Sequence, residues 1–198
     1  PTDVENLNEE KEEKDILGLK AYTRELARLA ENEGNWDIYV DMDGVIADFN
    51  ARFEELAGMS PSDFESKYGG DEFWDFIDEK HKIKFWVGIP LMDGAKDLIN
   101  FVKNYKYSIL TAPSTKKQSL IGKSVWVKKK TGDLFPSKPK LLFKAAKNKH
   151  KIKPNLTEFD ILIDDKQSTI DNWNEAGGTG IFYVSSQQVI KDLENLGL

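Results

Sequence analysis

The chain contains no cysteine among its 198 residues. That excludes disulfides, thiol catalysis and cysteine-ligated zinc, and it fits an intracellular, cytoplasmic setting. Histidine is nearly as scarce: only His81 and His150 are present, both read as surface residues. Two histidines argue against a His-rich metal site and against a Ser-His-Asp triad. No stretch approaches the ~20 apolar residues of a bilayer span, so no membrane partner is expected. The leading segment, PTDVENLNEEKEEK, lacks the apolar run of a signal peptide. Internal repeats and Gly/Ser linkers are missing as well.

What remains suits a folded, carboxylate-rich body. The length is about one domain of ~150 residues plus an insertion. The net charge of −6 is unevenly spread. Residues 1–37 carry 11 acids against 5 bases, residues 41–79 carry 12 against 2, and residues 116–153 carry 13 lysines against the single acid Asp133. An acidic protein does not advertise nucleic-acid binding. The lysine-rich third is either a solvated face or a surface that meets phosphate.

Apolar spacing predicts an amphipathic helix over 15–33, carried by Ile16, Leu19, Tyr22, Leu26, Leu29 and Ala30. Its stripe packs either on the same chain or in a dimer, so the expected state is a monomer or a homodimer. Strands are expected at 36–40, 107–110, 141–143, 159–163 and 181–184. Helices are expected at 50–57, from Ser60-Pro61, at 71–79, at 94–104 capped by Asp93, and at 116–130, 168–176 and 187–196. Apolar strands followed by helices predict an α/β fold with a parallel sheet covered on both faces.

Three of these strands end in polar groups: Asp41 with Asp43, Thr111 with Ser114, and Asp164 with Asp165. In an open parallel sheet such ends meet in one crevice, where ligands bind. Four carboxylates brought together repel one another, and a hard divalent cation such as magnesium relieves that. This set suits phosphoryl transfer through an aspartyl-phosphate. One carboxylate attacks phosphorus, and a second, two residues on, protonates the leaving oxygen and then deprotonates water. A hydroxyl and a lysine complete the cradle for the phosphoryl oxygens.

The segments Asp41-Met-Asp-Gly-Val45, Ile109-Leu-Thr111, a downstream lysine and Leu162-Ile-Asp-Asp165 resemble, in order, the four motifs of the haloacid dehalogenase-like phosphatases. Further segments narrow the likeness to the 5′(3′)-deoxyribonucleotidases: Asp41 to Phe49, Phe73-Trp74, Pro90 to Ala95, Gly122-Lys123-Ser-Val-Trp126-Val127 and Leu162 to Lys166. The resemblance implies a three-layer, Rossmann-like, five-stranded parallel core over 35–48 and 93–198. It also implies a small helical cap over 49–92, between motifs one and two, behind the leading segment 1–34. The implied activity is magnesium-dependent dephosphorylation of deoxynucleoside monophosphates, small-molecule partners.

By position, the resemblance makes Asp41 the nucleophile and Asp43 the general acid and base. Magnesium takes Asp41, the Asp43 backbone carbonyl and Asp164, with Asp165 in its outer sphere. Thr111 binds the phosphoryl oxygens. The usual Thr-Ser-Pro reads here Thr111-Ala112-Pro113-Ser114, so the Ser114 hydroxyl or the Ala112 backbone N–H stands in for the missing hydroxyl. Lys123 matches the third-motif lysine, with Lys144 and Lys147 as the other candidates. No clear equivalent of the base-reading Arg-x-Lys is present. Phe49, Phe73 and Trp74 either line a base pocket or form the cap's own core.

Other functions remain open on sequence. A phosphatase of 3′-phosphorylated polynucleotide ends or of a sugar phosphate uses the same motifs. A receiver-like signalling module also uses acids, threonine and lysine, although its phosphoacceptor stands on a later strand than its acidic pair.

Overall fold

The computed structural model describes residues 35–198, together with Gly18, Lys20 and Tyr22, which are helical. The acidic tail and the rest of the helix expected over 15–33 lie outside the described residues. The chain divides into two compact units, Pro1–Asn35 and Trp36–Leu198. The sheet and all of the candidate site residues belong to the second.

Five parallel strands form one sheet: β1 (Asp37–Val40), β2 (Lys106–Thr111), β3 (Lys140–Phe143), β4 (Asp160–Asp164) and β5 (Thr179–Phe182), in the order β3-β2-β1-β4-β5. The expected α/β class and its Rossmann-like sheet are therefore observed. The short apolar strands are buried on both faces. Ile38, Val40, Ile161 and Ile163 face one core and Tyr39, Leu110 and Leu162 the other. Helices cover both faces, as parallel pairing requires.

Register decides what meets at the carboxyl edge. Val40 pairs with Ile109 on one side and Ile163 on the other, and the Asp41 N–H donates to the Ile163 carbonyl at 2.9 Å. Asp41 thus leaves β1 level with the end of β4, where Asp164 and Asp165 follow. The strand order reverses direction between β1 and β4, the place where open sheets leave a crevice.

Between β1 and β2 the chain makes helices Phe49–Ala57, Pro61–Tyr68 and Gly70–Asp75, a π-helical turn Phe76–His81, and a short helix Ile83–Val87. Asp48 and Ser60 cap the first two with their side chains, and Pro61 opens the second. Their facing aromatics pack on one another, Phe53 stacked on Phe73 with centroids 4.9 Å apart and tilted against Phe76 at 5.2 Å. The expected single helix over 71–79 is thus split, and Ile83–Val87 is an element that periodicity did not reveal.

Three further expectations shift. Helix Ala95–Val102 starts from Gly94 in the left-handed region (φ +72°) without a side-chain cap, so Asp93 does not fill that role. Strand β5 ends at Phe182, two residues early. Tyr183 still donates its N–H to the Asp164 carbonyl at 2.9 Å, after which Ser185 caps helix Ser186–Asn195 and Val184 is left exposed. His81 and His150 are half-buried rather than exposed, the His81 ring lying tilted against Phe76 with centroids 4.6 Å apart. No helix among the described residues is long and apolar enough to cross a membrane.

Candidate active site

The loop after β1 folds back as one tight turn. The Met42 carbonyl accepts the N–H groups of Ile46 and Ala47 at 3.0 and 2.8 Å, and Gly44 donates to the Ala47 carbonyl at 2.9 Å. Gly44 is required twice over. Its φ is +78°, and a Cβ there would overlap the Asp165 carboxylate. The turn carries Asp43 off the strand axis, so that Asp41 and Asp43 both line a cavity of about 180 Å³ with Ala112, Lys149, Asp164, Asp165 and Lys166.

Two buried lysines divide the carboxylates between them. Lys149 lies 2.8 Å from the Asp41 carboxylate and 2.7 Å from that of Asp164. Burial pulls its ammonium pKa down, but the charges of Asp41 and Asp164 outweigh this and hold it above that of an ordinary lysine. Lys123, wholly buried, makes an ion pair with Asp43 and donates to Thr111 Oγ1 at 2.8 Å. Its ammonium also sits 5.0 Å from the centroid of the Trp86 ring, within cation–π range.

Three of the acids, Asp43, Asp164 and Asp165, are pushed above the ordinary carboxylate range. Burial, then the neighbouring Asp41, raise Asp164 to about 6 against the pull of Lys149 and of the Lys166 N–H, which donates to it at 2.9 Å. Burial, then Asp41 and Asp164, raise Asp165 to about 7. Burial also raises Asp43; Lys123 opposes it and Asp41 adds to it. The second oxygen of Asp43, Oδ1, is buried with no hydrogen-bond partner among the described residues.

Asp41, Asp164 and Asp165 can each turn an oxygen to within 4.8 Å of the others. Three hard oxygen donors that repel one another, beside a glycine cradle, fit a divalent cation such as magnesium. Lys149 already neutralises part of this charge, so a cation here would share Asp41 and Asp164 with it.

The other candidates scatter. Ala112 lines both this cavity and a larger apolar one of about 550 Å³, which Asp43, Phe49, Phe73, Trp74, Trp86, Pro113, Ser114, Thr115, Ala145 and Ala146 also line. Phe49, Phe73 and Trp74 are thus brought together. Phe73 is buried and also packs in the helical core, whereas Trp74 is 45% exposed. The Ser114 hydroxyl accepts from the Lys116 N–H at 3.3 Å, just before helix Lys117–Lys130. Lys144 and the exposed Lys147 line neither cavity.

Lys149 is the residue that sequence reasoning missed. It rides on a 3₁₀ turn, Ala146–Lys151, between β3 and β4. That turn sits among Lys144, Lys147, Lys151 and Lys153, and spacing alone does not single out the one that turns inward. Trp86, on the short helix that periodicity also missed, is the second.

No family model matches the chain, and no curated protein matches it. Among solved structures, a hydrolase from Streptococcus pneumoniae TIGR4 overlays at a TM-score of 0.47 with 14% identity, over 80% of this chain and 97% of that one. A haloacid dehalogenase-like family hydrolase from Xanthomonas campestris gives 0.48 and 11%, over 81% and 95%. A HAD-superfamily hydrolase from Ehrlichia chaffeensis gives 0.43 and 14%, over 82% and 97%. Overlaps this loose carry no conclusion about chemistry, which rests on the arrangement of side chains described above.

Proposed function

We propose that the chain is a magnesium-dependent phosphatase of haloacid dehalogenase-like type, acting on (deoxy)nucleoside monophosphates through an aspartyl-phosphate on Asp41. The observation that carries this reading is the meeting of Asp41, Asp43, Thr111, Lys149, Asp164 and Asp165 at one edge of the sheet, from four separate segments.

Asp41 is the nucleophile: its carboxylate oxygen attacks phosphorus as the bond to the leaving oxygen breaks. Asp43, whose raised pKa favours a bound proton, gives that proton to the leaving oxygen. It then takes a proton from the water that attacks the aspartyl-phosphate, releasing inorganic phosphate and restoring Asp41. Lys149 and the Thr111 hydroxyl offset charge on the phosphoryl oxygens. Magnesium, held by Asp41, Asp164 and the Asp43 backbone carbonyl with Asp165 in its outer sphere, would supply a positive charge that lets an anionic phosphate approach Asp41.

The leaving group enters the apolar cavity beside Asp43. A wall of Phe49, Phe73, Trp74 and Trp86 supports a flat, aromatic group such as a nucleobase. A phosphate-release panel tests the reading. It covers deoxy- and ribonucleoside 5′- and 3′-monophosphates, a 3′-phosphorylated oligonucleotide and sugar phosphates, with and without magnesium. Magnesium-dependent release, fastest from mononucleotides, is expected. Preference for the oligonucleotide, or no release from any compound, overturns it.

A further inference from the structure

Asp78 lies in the π-helical turn Phe76–His81 and is 1% exposed. A carboxylate taken out of water needs partners. One oxygen, Oδ1, accepts the indole N–H of Trp86 at 3.3 Å; the other, Oδ2, is buried with no hydrogen-bond partner among the described residues. Single π-helical turns are rare and tend to mark places where an inward side chain is wanted. This one ends at Lys82, the one non-glycine residue of positive φ (+53°) among those described.

Trp86 is where the helical insertion touches the machinery of the sheet. It is 2% exposed, and Gly122 packs against it so closely that a Cβ would overlap its side chain. One part of Trp86 lines the apolar cavity, while its ring faces the Lys123 ammonium. Lys123 in turn holds Asp43 and Thr111. A chain of contacts therefore runs from Asp78 to the general acid through a single indole.

We propose that Asp78 is a positioning residue for the reaction: it fixes the Trp86 indole, which fixes Lys123 and, through it, Asp43. The proposal rests on the phosphatase reading above. An N–H bound to a carboxylate leaves the ring richer in electrons, and the ring face then attracts the ammonium more strongly. An indole released from Asp78 tilts off Lys123, which keeps its ion pair but loses the surface that orients it. The cost falls on proton delivery to the leaving oxygen, because Asp43 is the group that Lys123 holds.

The test compares two substrates that differ in their need for that proton. The alkoxide leaving thymidine 5′-monophosphate needs it, and the phenolate leaving p-nitrophenyl phosphate does not. Asp78→Leu and Trp86→Phe, which each break the hydrogen bond, are expected to lower kcat on the nucleotide about 10-fold, part of the ~10²–10⁴ that acid catalysis supplies. On p-nitrophenyl phosphate they are expected to lower it less than about 3-fold. Asp78→Asn, which keeps an oxygen for the indole N–H, recovers most of the loss. Equal losses on both substrates, or none, overturn the proposal.

A second readout needs no turnover. In NMR of the unvaried protein the Lys123 methylene beside the ammonium is ring-current shifted by Trp86, and in Asp78→Leu it moves toward the position of an ordinary lysine. An unchanged resonance overturns the proposal. If Asp78→Leu does not fold, the two-substrate kinetic comparison is made with Asp78→Asn, whose bond is retained, against Trp86→Phe, whose bond is lost. An unvaried protein inert on both substrates counts against the phosphatase reading, while the NMR shift still decides the role of Asp78.

Discussion

Lys149 and Lys123 are both buried, and both are bonded to an aspartate of the same short motif, yet they belong to different parts of the molecule. Lys149 comes from a turn between two strands, and its partners, Asp41 and Asp164, end adjacent strands of the sheet. Lys123 comes from the inner stripe of a long helix, Ser119, Gly122, Lys123, Trp126 and Val127. Its surroundings, Asp43, Thr111 and the Trp86 ring, join the turn after β1 to the helical insertion. The first lysine serves the end of the sheet where phosphorus would be attacked. On the proposed mechanism the second serves the acid and the wall of the leaving-group cavity. The contrast teaches that Asp41 and Asp43, two residues apart, are held by different lysines from different elements, so the two proposed roles should be separable by mutation.

The largest effect erases the contrast by removing the proposed nucleophile. Asp41→Asn is expected to lower kcat at least ~10⁴-fold on every substrate, by analogy with loss of the nucleophile in other covalent enzymes, as read by phosphate release. Next come the lysines themselves. Lys149→Met is expected to cost about 10²–10³-fold in kcat on nucleotide and p-nitrophenyl phosphate alike, the scale of losing one preorganised charge-stabilising donor. Lys123→Met is expected to cost about 10²-fold on the nucleotide and much less on p-nitrophenyl phosphate, because it disturbs proton delivery. Substrate-independent losses for both variants would join the two supports into one.

The same pair differs in what a cation can repair. Lys149→Met leaves Asp41 and Asp164 facing each other without their ammonium, and stranding a buried charge in this way costs about 3–5 kcal/mol. On the proposed mechanism magnesium is held at the same carboxylates, and an ion that binds only the folded state stabilises it by mass action. Thermal melts should therefore show magnesium raising the Tm of Lys149→Met more than that of the unvaried protein. Lys123→Met, whose partner Asp43 offers only its backbone carbonyl to the ion, should gain no more than the unvaried protein does.

How far the sequence reached follows the same division. The strands were legible because each is a short run rich in apolar residues, three of them ending at an acid or a threonine, and the parallel sheet follows from their alternation with helices. Asp41, Asp43, Thr111, Asp164 and Asp165 were legible as site candidates because a strand end places its next residue in the crevice whatever the rest of the chain does. Lys149 was not, since a 3₁₀ turn of six residues within a lysine-rich stretch has no periodicity to show which side chain turns inward. The same limit hid Ile83–Val87 and with it Trp86, one turn of helix being too short for an apolar period to register. Lys123 stood out only by its place before Ser-Val-Trp126; its bond to Asp43 depends on the turn at Gly44.

A smaller effect probes the contact between helix Lys117–Lys130 and Trp86. Gly122→Ala gains up to ~1 kcal/mol of helix propensity. It also forces a methyl into the Trp86 side chain, and overpacking of this kind costs about 1–3 kcal/mol. Chemical denaturation should show a net destabilisation of about 1 kcal/mol, within that overpacking range less the helix gain. The rate loss should again be greater on the nucleotide than on p-nitrophenyl phosphate. A more stable protein of unchanged kinetics would mean that the indole yields without disturbing Lys123.

The smallest effect lies at the outer edge of the same cavity. Lys116, just past the lining residues Ser114 and Thr115, pairs with Glu79 of the π-helical turn at 3.2 Å, each side chain being about half exposed. This ion pair ties the loop after β2 to the turn bearing Asp78, which makes it the rival candidate for holding the cavity closed. Exposed pairs rarely exceed ~1 kcal/mol, because water screens them and two long side chains must be ordered. The buried Asp78–Trp86 bond joins the same turn to the cavity wall in a less screened place. Lys116→Ala is therefore expected to leave kcat on p-nitrophenyl phosphate unchanged and to raise the KM for the nucleotide by no more than about 5-fold, the factor that ~1 kcal/mol allows. Sensitivity to added salt should be equally slight. A larger, salt-dependent rise in KM would move the support of the cavity from the indole to its rim, and with it the boundary between the two lysines' territories.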